Sequence, residues 1–139
     1  MTALLFGYDR VRPATRTARA LLYVAAAFNV VAAVLVVALA RTAPQVLGIE
    51  PLYAGQLLYL DLSALLIAGF GAGYALAGRD LARFWPFVAL GAACKCGVAA
   101  LALAYFLTGQ AGLLVMSLAT GDGFFAVLFV RLLRQHGAA

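Results

Sequence analysis

Four stretches of this chain carry almost no polar residues, and each is interrupted by one that stands out. The stretches run over about 20–40, 55–77, 84–107 and 113–133, and the interrupting residues are Asn29, Asp61, Lys95 and Asp122. Each stretch has the roughly 20 residues that a helix needs to cross a hydrocarbon core of about 30 Å. A helix on the surface of a soluble domain would need a continuous polar face, and whole 20-residue windows here lack one. The pattern predicts four membrane-spanning helices with one buried polar group on each.

The intervening segments are short. Pro44, Gly48, Pro51 and Gly55 punctuate residues 41–54, while Val46, Leu47, Ile49, Leu52 and Tyr53 give them an apolar side. That mixture predicts a short cap folded onto the rim of the helices. A tight loop is expected over Gly78–Arg83, with Phe84-Trp85-Pro86 opening the third helix, where proline in the first turn is tolerated. A turn is expected over Thr108–Gly112. Short connections make consecutive helices antiparallel neighbours. The expected fold is therefore all-α: an integral membrane four-helix bundle, up-down-up-down, forming one transmembrane domain over 1–139. Residues 1–19 interleave Arg10, Arg12, Arg16 and Arg19 with Leu4, Leu5, Phe6, Tyr8 and Val11, and Pro13 interrupts them. They read as a basic interfacial segment lying on anionic lipid, or as a frayed terminus. The apolar run over 20–40 is longer than the core of a signal peptide, about 7–15 residues, and reads as a span.

Composition agrees with the pattern. Hydrophobic residues make up 66% of the chain and charged residues 11%, against about 45–50% and 25% in soluble domains. The net charge of +5 does not point to nucleic acid, because the basic residues flank apolar segments and line no groove. Their placement instead sets an orientation. With the N-terminus in the cytoplasm, eight of the ten Lys+Arg lie inside: Arg10, Arg12, Arg16, Arg19, Arg79, Arg83, Arg131 and Arg134. Arg41 is outside and Lys95 is within the membrane. The positive-inside rule then places both termini in the cytoplasm, the 41–54 cap on the extracytoplasmic side and the protein in the cell inner (plasma) membrane. Tyr23, Tyr74 and Trp85 are expected at the cytoplasmic interface, and Tyr53, Tyr59 and Tyr105 at the outer one.

At 1.5 Å per residue, Asn29, Lys95 and Asp122 fall near the same mid-bilayer depth, with Asp61 shallower toward the outer side. Residues at i±3, i±4 and i±7 share a helix face. Around Asn29 these are Leu22, Ala25, Ala26, Ala32, Ala33 and Val36; around Lys95, Gly91, Ala92, Val98, Ala99 and Ala102; around Asp61, Ala64, Leu65 and Ala68. Small-residue stripes are where helix backbones approach in lipid, so the polar groups are expected to face inward. Asp122 shares its face with Phe125 and Phe129, and Phe125 and Ser63 are expected to line a cavity. Lys95 should pair most directly with Asp122. Counting Lys95 against Asp61 and Asp122 leaves one acid in excess, so one carboxylate is expected to hold a proton, accept a cation or reach a water-filled vestibule. Asp61 is the better placed of the two for the vestibule. Gly69-x-x-x-Gly73-x-x-x-Ala77 is a small-residue stripe that serves packing within the bundle or dimerisation.

Other chemistry is excluded or bland. Cys94 and Cys96 are about 200° apart on a helix and cannot share a metal, and no C-x-x-C motif is present. His136 is the sole histidine and reads as a solvated terminus. No histidine-based metal centre, Ser–His–Asp set or nucleotide-binding loop is present, and no metal or cofactor is expected. An ionisable residue inside a span marks a functional site by default, against the alternative that a Lys–Asp pair only fixes helix register. The sequence therefore favours a small membrane protein that binds or transports a small hydrophobic, amphipathic or lipid-like molecule at Lys95, Asp122, Asp61 and Asn29, with proton coupling. As a transporter it calls for a homodimer. Membrane lipids are its other expected partners. A membrane-embedded, isomerase-like enzyme acting on a lipid-soluble substrate is the alternative, and an accessory subunit of a larger membrane complex is a third.

Overall fold

The computed structural model describes residues 13–136, and over that range it is all-helical. Helix α1 spans Arg16–Thr42, α2 Ala54–Arg79, α3 Leu81–Leu107 and α4 Leu113–His136. A single turn of 3-10 helix, Pro44–Leu47, lies between α1 and α2. All four long helices are long and apolar enough to cross a membrane. At 1.5 Å rise per residue they extend about 36–41 Å. The interfacial segment expected before Pro13, with Arg10 and Arg12, lies outside the described residues.

Local chemistry explains where the helices begin and end, and two boundaries depart from expectation. α1 starts at Arg16 because the Thr15 hydroxyl accepts from the Ala18 amide at 3.2 Å, an N-cap that the basic flank obscured. The loop expected over Gly78–Arg83 shrinks to one residue. Asp80 closes α2, its amide donating to the Leu76 carbonyl, and opens α3, its carboxylate accepting from the Arg83 amide at 3.1 Å. Because α3 therefore begins at Leu81, Pro86 is its sixth residue, past the first turn. Its missing N–H leaves the Ala82 carbonyl without the usual partner.

The cap folds inward. Leu47 is buried, and its carbonyl accepts from the Gly112 amide, tying the 3-10 turn to the start of α4. Gly48 follows in the left-handed region at φ 73°. A Cβ there would lie 2.6 Å from the Gly112 nitrogen, so glycine is required both for the backbone and for the approach.

The most extensive helix contacts join α1 to α2 and α3 to α4; α2 and α3 touch less, and α1 and α4 only slightly. Along the first pair the partners run Arg41 with Asp61, Asn29 with Ile67, Ala26 with Gly71 and Tyr23 with Gly78. The core is built from Leu22, Ala25, Tyr74, Ala77, Leu81, Val88, Phe125 and Phe129. The expected inward faces of Asn29, Lys95 and Asp122 hold in large part, with Ala25, Ala33, Gly91, Ala92, Phe125 and Phe129 all buried, but Val98, expected on the Lys95 face, is exposed. The face of Asp61 does not. Ala64 and Ala68 are only half-buried and Leu65 is exposed, and the buried residues of α2 begin at Gly71. Outward faces carry many exposed leucines and valines, including Val31, Val34, Leu58, Leu62, Leu66 and Leu101. In water such a surface would aggregate; in lipid it is the expected exterior.

Candidate functional site

Lys95 is 4% exposed, and everything that could balance it comes from other helices. Its Nζ donates to Asn29 Oδ1 on α1 at 2.9 Å and to Asp122 Oδ1 on α4. Asn29 is held in turn by its own amide, which donates to the Ile67 carbonyl on α2 at 3.1 Å. Three rings surround the ammonium, with Phe28, Tyr74 and Phe125 centroids 5.4, 5.6 and 5.6 Å from Nζ. Ring faces at that range attract a cation by roughly 0.5–1 kcal/mol each, and more when desolvated. All four helices thus contribute to one charged group.

The local sequence makes this possible. Gly91 lies one turn before Lys95, and a Cβ there would come 2.4 Å from the Tyr74 hydroxyl. The glycine therefore admits the phenol against α3. Gly121 does the same for Phe28, whose ring would meet a Cβ at 2.8 Å. Phe125 and Phe129 pack against each other with centroids 6.2 Å apart, and Phe129 meets Tyr74 edge-on at 4.8 Å.

A pocket of about 160 Å³ opens beside Lys95. Leu66, Ile67, Phe70 and Tyr74 of α2 form one wall and Cys94 and Val98 of α3 the other. Lys95, Asn29 and Asp122 form its polar floor. Leu66, Cys94 and Val98 are exposed at the rim, so the mouth lies between α2 and α3, which touch less than the other helices consecutive in the chain. The walls are apolar and the polar groups converge at one point, the usual make-up of a small-molecule site.

Three of the four expected polar residues, Lys95, Asn29 and Asp122, come together, and the fourth does not. Asp61 pairs with Arg41, whose two terminal nitrogens donate to its two carboxylate oxygens at 2.9 and 2.8 Å. Both side chains are substantially exposed, 39% for Arg41 and 48% for Asp61. The reason is axial position. Asp61 lies six residues from Ile67, the α2 residue level with Asn29, which is about 9 Å at 1.5 Å per residue. Arg41 lies within its reach and Lys95 has a nearer acid. The expected excess of one acid disappears with this pairing, since Arg41 answers Asp61 and Lys95 answers Asp122. The motive for a shared proton goes with it. Ser63, expected to line the cavity, is exposed and donates to the Tyr59 carbonyl of its own helix at 2.8 Å. Phe125 is buried against Lys95 and does not form part of the pocket wall.

Tyr74 is the residue that sequence reasoning misplaced. Expected at an interface, it is 1% exposed and central. The available signal was Gly91 at i−4 from Lys95, a gap on the lysine's own face that some large side chain had to fill. His136 is likewise buried, not solvated, and its Nδ1 meets the Leu132 carbonyl at 2.8 Å. Gly69 faces open space, whereas Gly71, Gly73 and Gly78 contact other helices. Among the described residues no cluster of His, Cys, Asp or Glu could hold a metal ion.

Comparison with protein-family models, with curated proteins and with solved structures yields no match.

Proposed function

We propose that the chain is a multi-pass protein of the cell inner membrane that binds, and as a dimer carries, a small amphipathic or lipid-like molecule in the pocket beside Lys95. The observation that carries this reading is the pocket itself, apolar on both walls, polar on its floor and open sideways between α2 and α3. A molecule dissolved in the bilayer can enter there without crossing water. Its head would meet Lys95, Asp122 and Tyr74, and its tail would stay among the lipids.

The reading takes the helices as an antiparallel bundle with both ends in the cytoplasm. The falling order of α1 partners along α2 (41 with 61, 29 with 67, 23 with 78) supports antiparallel packing of that pair. The one-residue junction at Asp80 supports it for α2 and α3. Arg16, Arg19, Arg79, Arg83, Arg131 and Arg134 gather at the helix ends opposite Arg41, which supports the cytoplasmic placement. In that frame Lys95 and Asp122 form an ion pair within the membrane, and a charge at such a depth is seldom kept without a role.

A second reading is favoured by one observation: Lys95 finds its counter-charge within the protein. A pair of this kind can serve only to fix helix register. Mass spectrometry of molecules that co-purify in mild detergent separates the two. A ligand held by the wild type and lost from a folded Lys95→Met variant supports the binding site. A wild type that carries nothing beyond bulk lipid, together with a variant that loses only its helix packing, overturns it.

A further inference from the structure

The polar floor of the pocket is already balanced. Lys95 is matched by Asp122, the only carboxylate bordering the pocket among the described residues. Two of the three ammonium N–H groups are taken, by Asn29 and Asp122, and the third has no oxygen or nitrogen partner among the described residues. Tyr74 is the other unengaged group. Its side chain is 1% exposed and borders the pocket. Among the described residues no hydrogen bond engages its hydroxyl, and no sealed side-chain oxygen or nitrogen is left without a partner. The hydroxyl is therefore not sealed off, and the residue that carries it borders the pocket.

From this we infer that the pocket takes an uncharged amphiphile whose head carries a hydrogen-bond-accepting oxygen, such as a carbonyl, placed to accept from the Tyr74 hydroxyl and the remaining Lys95 N–H. The inference rests on the reading of the pocket as an amphiphile site. An anionic head would add a second negative charge beside Asp122 with no cation to meet it, and an unpaired charge in an apolar surrounding is strongly disfavoured. A cationic head would face an ammonium whose acid is already engaged. An oxygen acceptor without charge completes both donors and leaves the charge balance intact. Size sets a further limit. A cavity of about 150 Å³ takes benzene, so a pocket of about 160 Å³ holds a head of one small ring or a few heavy atoms. The remainder of the molecule must leave past Leu66 and Val98 toward the lipid.

The test uses purified protein in lipid nanodiscs and two probes of equal chain length, a medium-chain methyl ketone and the matching fatty acid anion. Retention of each is measured by mass spectrometry, and the carbonyl band of the ketone by infrared difference spectroscopy. The expected result is retention of the ketone in preference to the anion, with its carbonyl band shifted to lower frequency. In Tyr74→Phe, with helicity unchanged, retention falls roughly two- to tenfold, as for one neutral hydrogen bond, and most of the band shift disappears. Preference for the anion, or a band unchanged by Tyr74→Phe, overturns this inference while leaving an amphiphile pocket standing. Equal retention of both probes by wild type and by Val98→Trp, which plugs the mouth, removes the amphiphile pocket as well.

Discussion

Lys95→Met tests whether Lys95 and Asp122 act as one unit. Methionine keeps an unbranched stem of similar length but loses the ammonium. Asp122 then loses its cation and Asn29 a donor, and three rings lose the charge they surround. Removing one partner of a buried pair typically costs about 3–5 kcal/mol. The Asp122 side chain is 19% exposed, so its carboxylate finds some relief, and about 2–4 kcal/mol is the expected loss of stability. Asp122→Leu strands the better-buried ammonium, whose side chain is 5% exposed, and should cost the fuller amount, about 3–5 kcal/mol. The double variant strands neither. Well-packed apolar replacements of buried pairs are often neutral or stabilising, so its loss should stay within about 1 kcal/mol of wild type. The assay is unfolding in mixed micelles by a denaturing detergent, followed by circular dichroism. Losses in the double variant equal to the sum of the singles, within the roughly 0.5 kcal/mol expected of independent sites, would refute the coupling. The same folded double variant also separates stability from binding. If it still retains the ligand, the pair serves packing alone.

Three further outcomes are expected. Asp61→Asn should leave the unfolding midpoint close to wild type, as expected of an exposed and solvent-screened pair, and leave ligand retention unchanged; an effect as large as that of Asp122→Leu would return Asp61 to the site. Gly48→Ala should cost about 1–2 kcal/mol for its left-handed backbone alone, with the clash against Gly112 in addition, whereas Gly69→Ala, with open space around it, should fall within about 0.5 kcal/mol of wild type; similar unfolding midpoints for the two would contradict the cap geometry. A lipid-soluble maleimide should label both Cys94 and Cys96, which are exposed, but bound ligand should protect only Cys94, because it alone borders the pocket; equal protection would place the ligand elsewhere.

The four helices and three of the four central polar residues were legible because both signals are local. An apolar run of 20 residues reports a span whatever surrounds it, and depth along a helix follows from counting. Asn29, Lys95 and Asp122 were grouped correctly on those grounds. Asp61 was not, because its partner is chosen by relative axial shift between α1 and α2. That shift is set where the Ala26 carbonyl approaches Gly71 and the Tyr23 ring packs on Gly78, which no count along one helix reveals. Arg41 was read only as an orientation signal, though its guanidinium reaches Asp61 across the α1–α2 pair. Tyr74 was assigned to an interface by residue type. Its true place depended on two glycines on neighbouring surfaces, one beneath its hydroxyl at Gly91 and one beside it at Gly73, where Phe87 packs. Asp80 capping two helices at once was hidden because a six-residue polar stretch looks like a loop.

That junction bears on how the proposed site would open. With a single residue between them, α2 and α3 are pinned at one end, like the arms of tongs. Near the pivot, Gly73 against Phe87 and Gly91 against Tyr74 hold the arms together. Leu66, Cys94 and Val98 lie farther out, where a given rocking angle separates the arms more than it does near the pivot. Tails of different length would project through the same gap into the surrounding bilayer. On the proposed reading, such a device would discriminate among heads and be indifferent to how long the chain behind them is.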